Sequence, residues 1–314
     1  MLAPPIARTR MLLVLMTLAA AMLRVATPLL YAALGETITE RAGVLNLGIE
    51  GTMLIGAFAG FVAAALTMSL WIGLLAAILV GMLCGLLMAL LTVTFGLNQH
   101  VSGLGMTLLA TGMALFAFRL MYGTSGVQAR IDPFQQIEPP TLLGPLAELF
   151  HQYLLTYLGF GLVPLIWWVL YRTRFGLKLR AAGENPEAAD MAGVNVFRIR
   201  YIALIAGGAL MGIAGAFLSL AQLGAFTFGI IAGRGWVAVA LVIFGNWNPI
   251  KVFAGALLFG MVQAIQLRLQ AEGIRVVPYE ILLALPYLVT IAALVIASRN
   301  ASYPAALLKP YRRE

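Results

Sequence analysis

Charged residues are scarce in this chain. Acidic and basic residues together make up 10% of the 314 residues, whereas 62% are hydrophobic, and the mean hydropathy is +0.96. A soluble domain of this size needs far more charge to cover its surface, so the composition excludes that class. The apolar runs are continuous rather than alternating, which argues against membrane-spanning strands. The chain therefore has the composition of an all-α polytopic membrane protein.

Residues that carry common chemistry are also few. Cys84 is the single cysteine, so no intrachain disulfide can form. His100 and His151 are the two histidines, and without a cysteine partner they make no metal site. No lysine lies in a glycine-rich phosphate loop, and no Gly-x-Ser-x-Gly elbow occurs. We expect no catalytic residue, metal or cofactor in this chain, and therefore no enzyme.

Apolar runs near 20 residues in length recur along the whole chain and predict about nine spans, with eight to ten allowed. No soluble domain separates them, so residues 1–314 are predicted to form one transmembrane domain. Broken helices are expected to line a central path. The predicted spans are at about 11–34, 47–68, 71–93, 101–122, 152–171, 200–222, 232–246, 251–270 and 279–297.

The distribution of basic residues predicts the orientation. Basic residues outnumber acidic ones by 20 to 12. They cluster beside the apolar runs, which indicates membrane orientation and contact with lipid rather than nucleic-acid binding. The densest cationic connection, 172–200, is predicted to be cytoplasmic. It follows that 123–151 is an extracytoplasmic loop and that the C-terminus is cytoplasmic.

The N-terminal region conflicts with this orientation. Nine crossings place residue 1 outside, whereas Arg8 and Arg10 favour the cytoplasm. Either the charge rule is broken locally, or residues 1–50 contain one more crossing. The second alternative divides the first run into two shorter elements at Arg24, because an unpaired charge in the middle of a span is costly.

A short capped helix is predicted between two apolar runs, within 180–195. Asn185 is a good N-cap, and Pro186 falls at the first helical position, where its missing N–H costs nothing. Glu187 suits the positive end of the helix dipole, and Gly193 supplies a left-handed residue that ends the helix. A rigid solvated helix of this kind is a surface for another protein. An ordinary cytoplasmic loop is an equally good interpretation.

A second polar segment, 36–51, precedes an apolar run. It contains Glu40, Arg41, Asn46 and Glu50 among several glycines. Irregular backbone at membrane depth persists only where protein or a water-filled cavity surrounds it, and broken helices often line a transport path. A plain interfacial turn with a capped helix start is the alternative.

Three further positions are weaker candidates for the path. Asn98 and Ser102 precede a span and could bond a polar solute, although helix capping is the better interpretation. Trp236 follows a glycine-rich stretch, 229–235, that is typical of a broken helix; a membrane-interface anchor is the better interpretation of this tryptophan.

Small residues recur at the spacing used for helix packing. Gly56 and Gly60, Gly81 and Gly85, and Gly208 and Gly212 are pairs spaced by four, and Gly215 follows the last pair. Such positions let backbones approach closely in lipid. Intramolecular packing is favoured over a subunit interface.

Several of these segments resemble one family. Glu40-Arg-Ala-Gly-Val-Leu-Asn-Leu-Gly-Ile-Glu-Gly-Thr-Met53 is similar to the early signature of permease subunits of bacterial ABC importers, and its form is most similar to nucleoside or simple-sugar permeases. The segment 183–195 resembles the cytoplasmic coupling segment of that family. Gly233-Arg-Gly-Trp-Val-Ala-Val-Ala240 and Leu285-Pro-Tyr-Leu-Val-Thr290 resemble its later part. The resemblance runs from about 25 to 297.

The resemblance implies an importer in the bacterial inner membrane, built from two permeases, cytoplasmic ATPase subunits and an extracytoplasmic solute-binding protein. ATP and magnesium then belong to the ATPase, and the second permease is expected to be a related chain. The solute is expected to be a nucleoside, then a sugar, then an amino acid. An ion-coupled secondary transporter or channel is the alternative. A membrane-embedded enzyme would need clustered acid, base or metal-binding residues, and the sequence shows no such cluster. The residues that the resemblance assigns to ATPase coupling are Gly183, Glu184, Asn185, Pro186, Glu187, Ala188, Ala189 and Gly193.

Overall fold

A computed structural model of the chain describes residues 5–123, 130–139, 144, 146–271, 279–298 and 302–312. These residues form α-helices, connections and two π-helices, Leu90–Thr94 after α3 and Phe217–Leu223 after α9. Extended pairing among them is limited to an isolated bridge between Gln136 and Tyr153. The predicted all-α class is confirmed. The helices are α1 Pro5–Arg41, α2 Ile49–Thr67, α3 Leu70–Ala89, α4 Gln99–Tyr122, α5 Ala147–Phe150, α6 Leu154–Arg172, α7 Arg174–Glu184, α8 Pro186–Met191, α9 Val196–Ala216, α10 Arg234–Phe244, α11 Pro249–Ala271 and α12 Tyr279–Ser298.

The predicted count of nine spans is not supported. Among the described residues, seven helices are long and apolar enough to cross a membrane. The predicted span 232–246 is the eleven-residue helix α10, which at 1.5 Å per residue is too short to cross. In α12, the apolar part that the structure describes is Leu283–Ala292. The seven candidate spans are Leu13–Arg41, Ile49–Thr67, Leu70–Thr94, Gln99–Tyr122, Leu154–Arg172, Val196–Leu223 and Pro249–Ala271.

Helix α1 is one continuous helix of 37 residues. The alternative of two shorter elements divided at Arg24 is therefore wrong for the described residues. Arg24 is tolerated because its Nη1 donates to the carbonyl oxygen of His151 at 3.3 Å. The predicted end near residue 34 is also wrong. The helix runs on to Arg41 because Glu36 and Glu40 are fully buried and are bonded inside the bundle.

Glycines bring α3, α2 and α9 into backbone contact. A Cβ added at Gly81 would collide with the carbonyl of Gly208, and one at Gly56 would collide with Gly212. Gly60 and Gly73 face each other in the same way across α2 and α3. The predicted intramolecular packing of these spaced glycines is confirmed, and it holds the three helices as one unit.

The stretch from Ala42 to Gly48 breaks the helical path between α1 and α2. It runs along the first turns of α4, where the Gln99 Oε1 accepts from Leu45 N at 2.8 Å and the Thr107 Oγ1 donates to Leu47 O at 3.1 Å. Gln99 and Thr107 are eight residues apart, about 12 Å along a helix. Helix α2 therefore begins well inside the bundle.

Helices α7 and α8 lie at one end of α6, and the described residues 130–139 and 146–153 lie at the other. Helix α6 has 19 residues, so these two regions are about 28 Å apart along its axis. The 130–139 stretch packs over the end of the π-helix that continues α9, with Ile131 N donating to Gly224 O at 2.9 Å. We call the two ends of the bundle the α7 end and the loop end.

Candidate functional site

The first turns of two helices meet inside the bundle at Glu50. Its carboxylate oxygens accept from the backbone N–H groups of Gly233 and Gly235, at 2.8 and 2.7 Å. Glu50 therefore caps α10, whose N-terminus carries unpaired N–H groups and partial positive charge. Gly235 can be nothing larger, because a Cβ there would lie against the backbone of Glu50. We call this arrangement the Glu50 crossing.

A cluster of buried polar groups lies between the Glu50 crossing and the α7 end. The Glu36 Oε1 accepts from Asn46 N at 2.8 Å, and its Oε2 accepts from the Thr39 hydroxyl at 2.8 Å. The Glu40 Oε2 accepts from the Trp247 indole N–H at 2.6 Å. These five side chains are at most 2% exposed. The carboxyl groups thus fix the backbone of the break to the end of α1 and to the turn before α11.

The turn that supplies Trp247 is in an uncommon conformation. Asn246 and Trp247 have φ of 50° and 54°, in the left-handed region, where a bulky residue such as tryptophan is rare. Backbone of this kind persists only where the surroundings determine it. Here the hydrogen bond to Glu40 and the complete burial of the indole provide that constraint.

Arg41 connects this turn to α7. Its Nε donates to Trp247 O at 3.0 Å, and its Nη2 donates to the Tyr171 hydroxyl at 3.1 Å. Its Nη1 lies 4.0 Å from the Glu184 carboxylate at the end of α7. The backbone of Gly183 also packs against the carbonyl of Arg41, with no room for a side chain. The end of α1 is therefore attached to the last turn of α7.

The predicted capped helix is observed as α8. The Asn185 Oδ1 accepts from Ala188 N at 3.0 Å, Pro186 is the first helical residue, and Gly193 has φ of 82°. The eight residues proposed for coupling differ in burial. Gly183 and Ala189 are buried and hold the helix to the bundle, and Pro186 is half-buried. The exposed residues are Glu184, Asn185, Glu187, Ala188 and Gly193.

Helix α7 was not among the predicted elements. Thr173 caps it through Gly176 N at 3.1 Å, and it buries Leu179 and Ala182 while Leu177 and Lys178 stay exposed. The spacing of these residues is amphipathic, which is the signal that could have revealed the helix.

The weaker path candidates are not all brought to the Glu50 crossing. Asn98 is exposed and caps α4, accepting from His100 N and Val101 N, as its better interpretation predicted. Ser102 is buried, and with Asn98 it borders a mostly apolar groove between α3 and α4. Trp236 lies one residue beyond the Glu50 crossing and is 42% exposed. Gln99, which sequence reasoning missed, holds the break through Leu45.

A polar cavity of about 520 Å³ opens at the loop end. It lies between α1, the π-helix after α9, the start of α10, α11 and the residues before α6. Arg234, next to the Glu50 crossing, belongs to its wall, and the Nε of Arg234 is buried without a hydrogen-bond partner. The polar residues of the lining are Arg24, Gln136, Glu148, His151, Tyr153, Gln222 and Arg234.

This combination of interrupted helices, a polar cavity and a capped surface helix is paralleled in known proteins. The sequence pattern of the family described as the permease component of the branched-chain amino acid transport system matches residues 18–296. The chain belongs to this permease family. The region matched covers every helix from α2 to α11 and most of α1 and α12.

Individual relatives are similar over nearly their whole length. A protein of Haloferax volcanii, named provisionally as a glucose ABC transporter permease, is 41% identical over 94% of this chain and 97% of its own length. The guanosine ABC transporter permease of Bacillus subtilis is 35% identical, over 91% of this chain and 93% of its own. The nucleoside ABC transporter permease of Lactococcus lactis is 35% identical, over 93% and 95%.

Membership in this permease family has two direct consequences. Proteins of this kind are transport subunits and not enzymes themselves. Together with the seven apolar helices among the described residues, the family makes this chain a multi-pass membrane permease.

Proposed function

We propose that this permease is the transmembrane subunit of an ATP-driven importer in the bacterial inner membrane, with α7 and α8 in the cytoplasm. One observation supports the proposal most directly: the last turn of α7 packs on the end of α1, where the backbone of Gly183 lies against the Arg41 carbonyl with no room for a side chain, directly before the break that leads to the Glu50 crossing. Displacement of α8 can therefore be transmitted through α7 and the end of α1 to the interrupted helices inside the bundle.

The partners follow from this role. A cytoplasmic ATPase, which binds ATP and magnesium, contacts the exposed residues of α8, and an extracytoplasmic binding protein delivers solute at the loop end. A second permease, most simply a related chain, completes the path. This chain itself holds no cofactor. The segment 302–312 lies at the α7 end, which supports a cytoplasmic C-terminus.

The solute is a nucleoside or a simple sugar, with an amino acid as the third choice. The names of the relatives, for guanosine, nucleosides and glucose, support the first two. The cavity at the loop end supports them as well, because hydroxyl and base edges need hydrogen-bonding walls and the volume is that of a small-molecule site. Arg24, Gln222 and Arg234 are the proposed solute contacts, and Asn46, Glu50 and Trp236 border the next part of the path.

The experiment is ATP-dependent uptake of labelled guanosine and glucose by proteoliposomes containing the assembled importer. The double substitution Glu187→Arg with Ala188→Trp changes the exposed face of α8. It should abolish uptake and leave membrane insertion intact. Met68→Arg, at an 89% exposed position in the turn after α2, is the control and should transport normally. Normal uptake by the α8 variant would overturn the coupling role.

A further inference from the structure

The segment 302–312 lies across the α7 end of the bundle and touches elements that are distant in sequence. Pro304, Ala306 and Tyr311 are buried in it, whereas Tyr303 and Leu308 are 62% and 42% exposed. The sequence assigns this stretch no role, and the proposed path and coupling helix do not use it. Its contacts nevertheless connect the last turn of α7, directly before α8, with the turn whose Trp247 bonds Glu40.

One set of contacts is with the last turn of α7. Ala306 N donates to Gly183 O at 2.9 Å, and Ala305 N donates to the Glu184 Oε2 at 3.2 Å. The ion pair between Glu184 and Arg41 is 4.0 Å long, and the Glu184 side chain is 52% exposed. An exposed ion pair at that distance contributes little to stability. The hydrogen bonds donated by the backbone of Ala305 and Ala306 are therefore the directional contacts at the last turn of α7.

A second set of contacts is with the turn before α11. Ser302 N donates to the Asn246 Oδ1 at 3.0 Å. The Tyr303 ring lies edge-on to the Trp247 ring, with centroids 5.6 Å apart and an angle of 81°. Edge-to-face pairs of this kind are favourable beyond the area that they bury. The same Trp247 donates to Glu40, so the segment contacts the buried carboxyl cluster through one side chain.

The far part of the segment is anchored to α9. The Tyr311 ring lies 5.9 Å from that of Phe197, near the start of α9. The Ala306 carbonyl lies beside Gly43 in the break, where the buried Arg200 Nε also donates to Ala42 O at 3.1 Å. The segment is therefore fixed at both ends, and its contacts with the last turn of α7 lie between them.

We infer that segment 302–312 is a positioning element that makes α7 and the Trp247 turn move together, so that motion of α8 reaches the interrupted helices. The inference rests on the proposed function, since it concerns how the ATPase is coupled to transport. It predicts that loosening the segment separates ATP hydrolysis from solute movement. The importer should still assemble and hydrolyse ATP.

The experiment measures solute molecules moved per ATP hydrolysed, with the complete importer in proteoliposomes and loaded binding protein. Tyr303→Ala removes the ring contact at an exposed position and should lower this ratio about fivefold, with ATP hydrolysis retained. Tyr303→Phe keeps the ring and should restore the ratio. Lys309→Ala, in the same segment but without a side-chain role in these contacts, is the matched control and should keep it.

Deleting residues 302–314 should lower the ratio further. If that variant does not assemble, the comparison of Tyr303→Ala with Tyr303→Phe tests the inference by itself. An unchanged ratio for Tyr303→Ala in a transporting importer overturns this inference alone. An equal loss of uptake, ATP hydrolysis and assembled complex in that variant also overturns it, because it indicates a merely structural role. A wild-type importer without ATP-dependent uptake overturns the proposed function itself, and this inference with it.

Discussion

Trp247 donates its indole N–H to the carboxylate of Glu40 across 2.6 Å, although 207 residues separate them in the chain. The bond joins the end of α1 to the turn between α10 and α11. Both partners are about 1% exposed, so neither can exchange the other for water. The unusual left-handed turn at Trp247 and the helix that runs on to Arg41 therefore stabilise each other.

Replacing Trp247 with phenylalanine tests this bond. The phenylalanine ring keeps most of the packing of the indole, but the Glu40 Oε2 loses its hydrogen-bond donor. The other oxygen of Glu40, Oε1, is buried and already has no partner. Leaving a buried acceptor without a donor costs about 1–3 kcal/mol. We expect a lower melting temperature for the purified permease and reduced uptake. A variant as stable as the wild type would show that the bond contributes nothing.

The Glu50 crossing gives a graded prediction. Glu50→Ala removes both acceptors from the N-terminus of α10, whereas Glu50→Gln keeps one oxygen for either Gly233 or Gly235. We expect uptake to fall by about tenfold or more for alanine, which corresponds to about 1.4 kcal/mol, and less for glutamine. Initial uptake rates in vesicles measure this. Equal activity of the two variants would contradict a capping role.

The packing of α3 on α9 gives a prediction about folding. Gly81→Ala places a methyl group against the carbonyl of Gly208, where nothing flexible can move aside. We expect a loss of about 1–3 kcal/mol and a low yield of folded permease. Gly105→Ala and Gly112→Ala are the controls, because a Cβ at either position meets nothing within 4 Å. Gel-filtration yield and melting temperature compare the three.

The cap of α8 gives a prediction about coupling. Asn185→Ala removes the acceptor for Ala188 N and should destabilise this six-residue helix by about 1 kcal/mol. Asn185→Asp keeps an acceptor and should behave as the wild type. We expect the alanine variant to retain less ATPase through purification, measured as the ratio of the two subunits. Equal retention would argue against α8 as the docking helix.

The sequence predicts best where local chemistry decides the structure. Asn185, Pro186 and Gly193 set the two ends of α8 without help from the rest of the chain, and the helix is observed where those residues place it. The spaced glycines likewise predicted close backbone packing, because only a residue without a side chain permits it. For the segment 36–51 the sequence left a broken helix and an interfacial turn as alternatives, and the buried break between α1 and α2 agrees with the first.

Tertiary contacts account for what the sequence did not predict. Glu36 and Glu40 look like interfacial residues until Asn46 and Trp247 are placed beside them, so the end of α1 was predicted too early. The role of Glu50 as a cap depends on α10, which begins 184 positions later in the chain. The roles of Arg41 and of segment 302–312 could not be predicted for the same reason. Their partners lie in elements that are far away in the sequence.

The most direct test of the whole account is whether this permease moves solute only with an ATPase attached. Proteoliposomes containing the permease pair alone, with an imposed proton or sodium gradient, should not concentrate guanosine or glucose. The same vesicles with the ATPase, ATP and loaded binding protein should. Accumulation driven by an ion gradient in the absence of the ATPase would contradict the account and favour a secondary transporter.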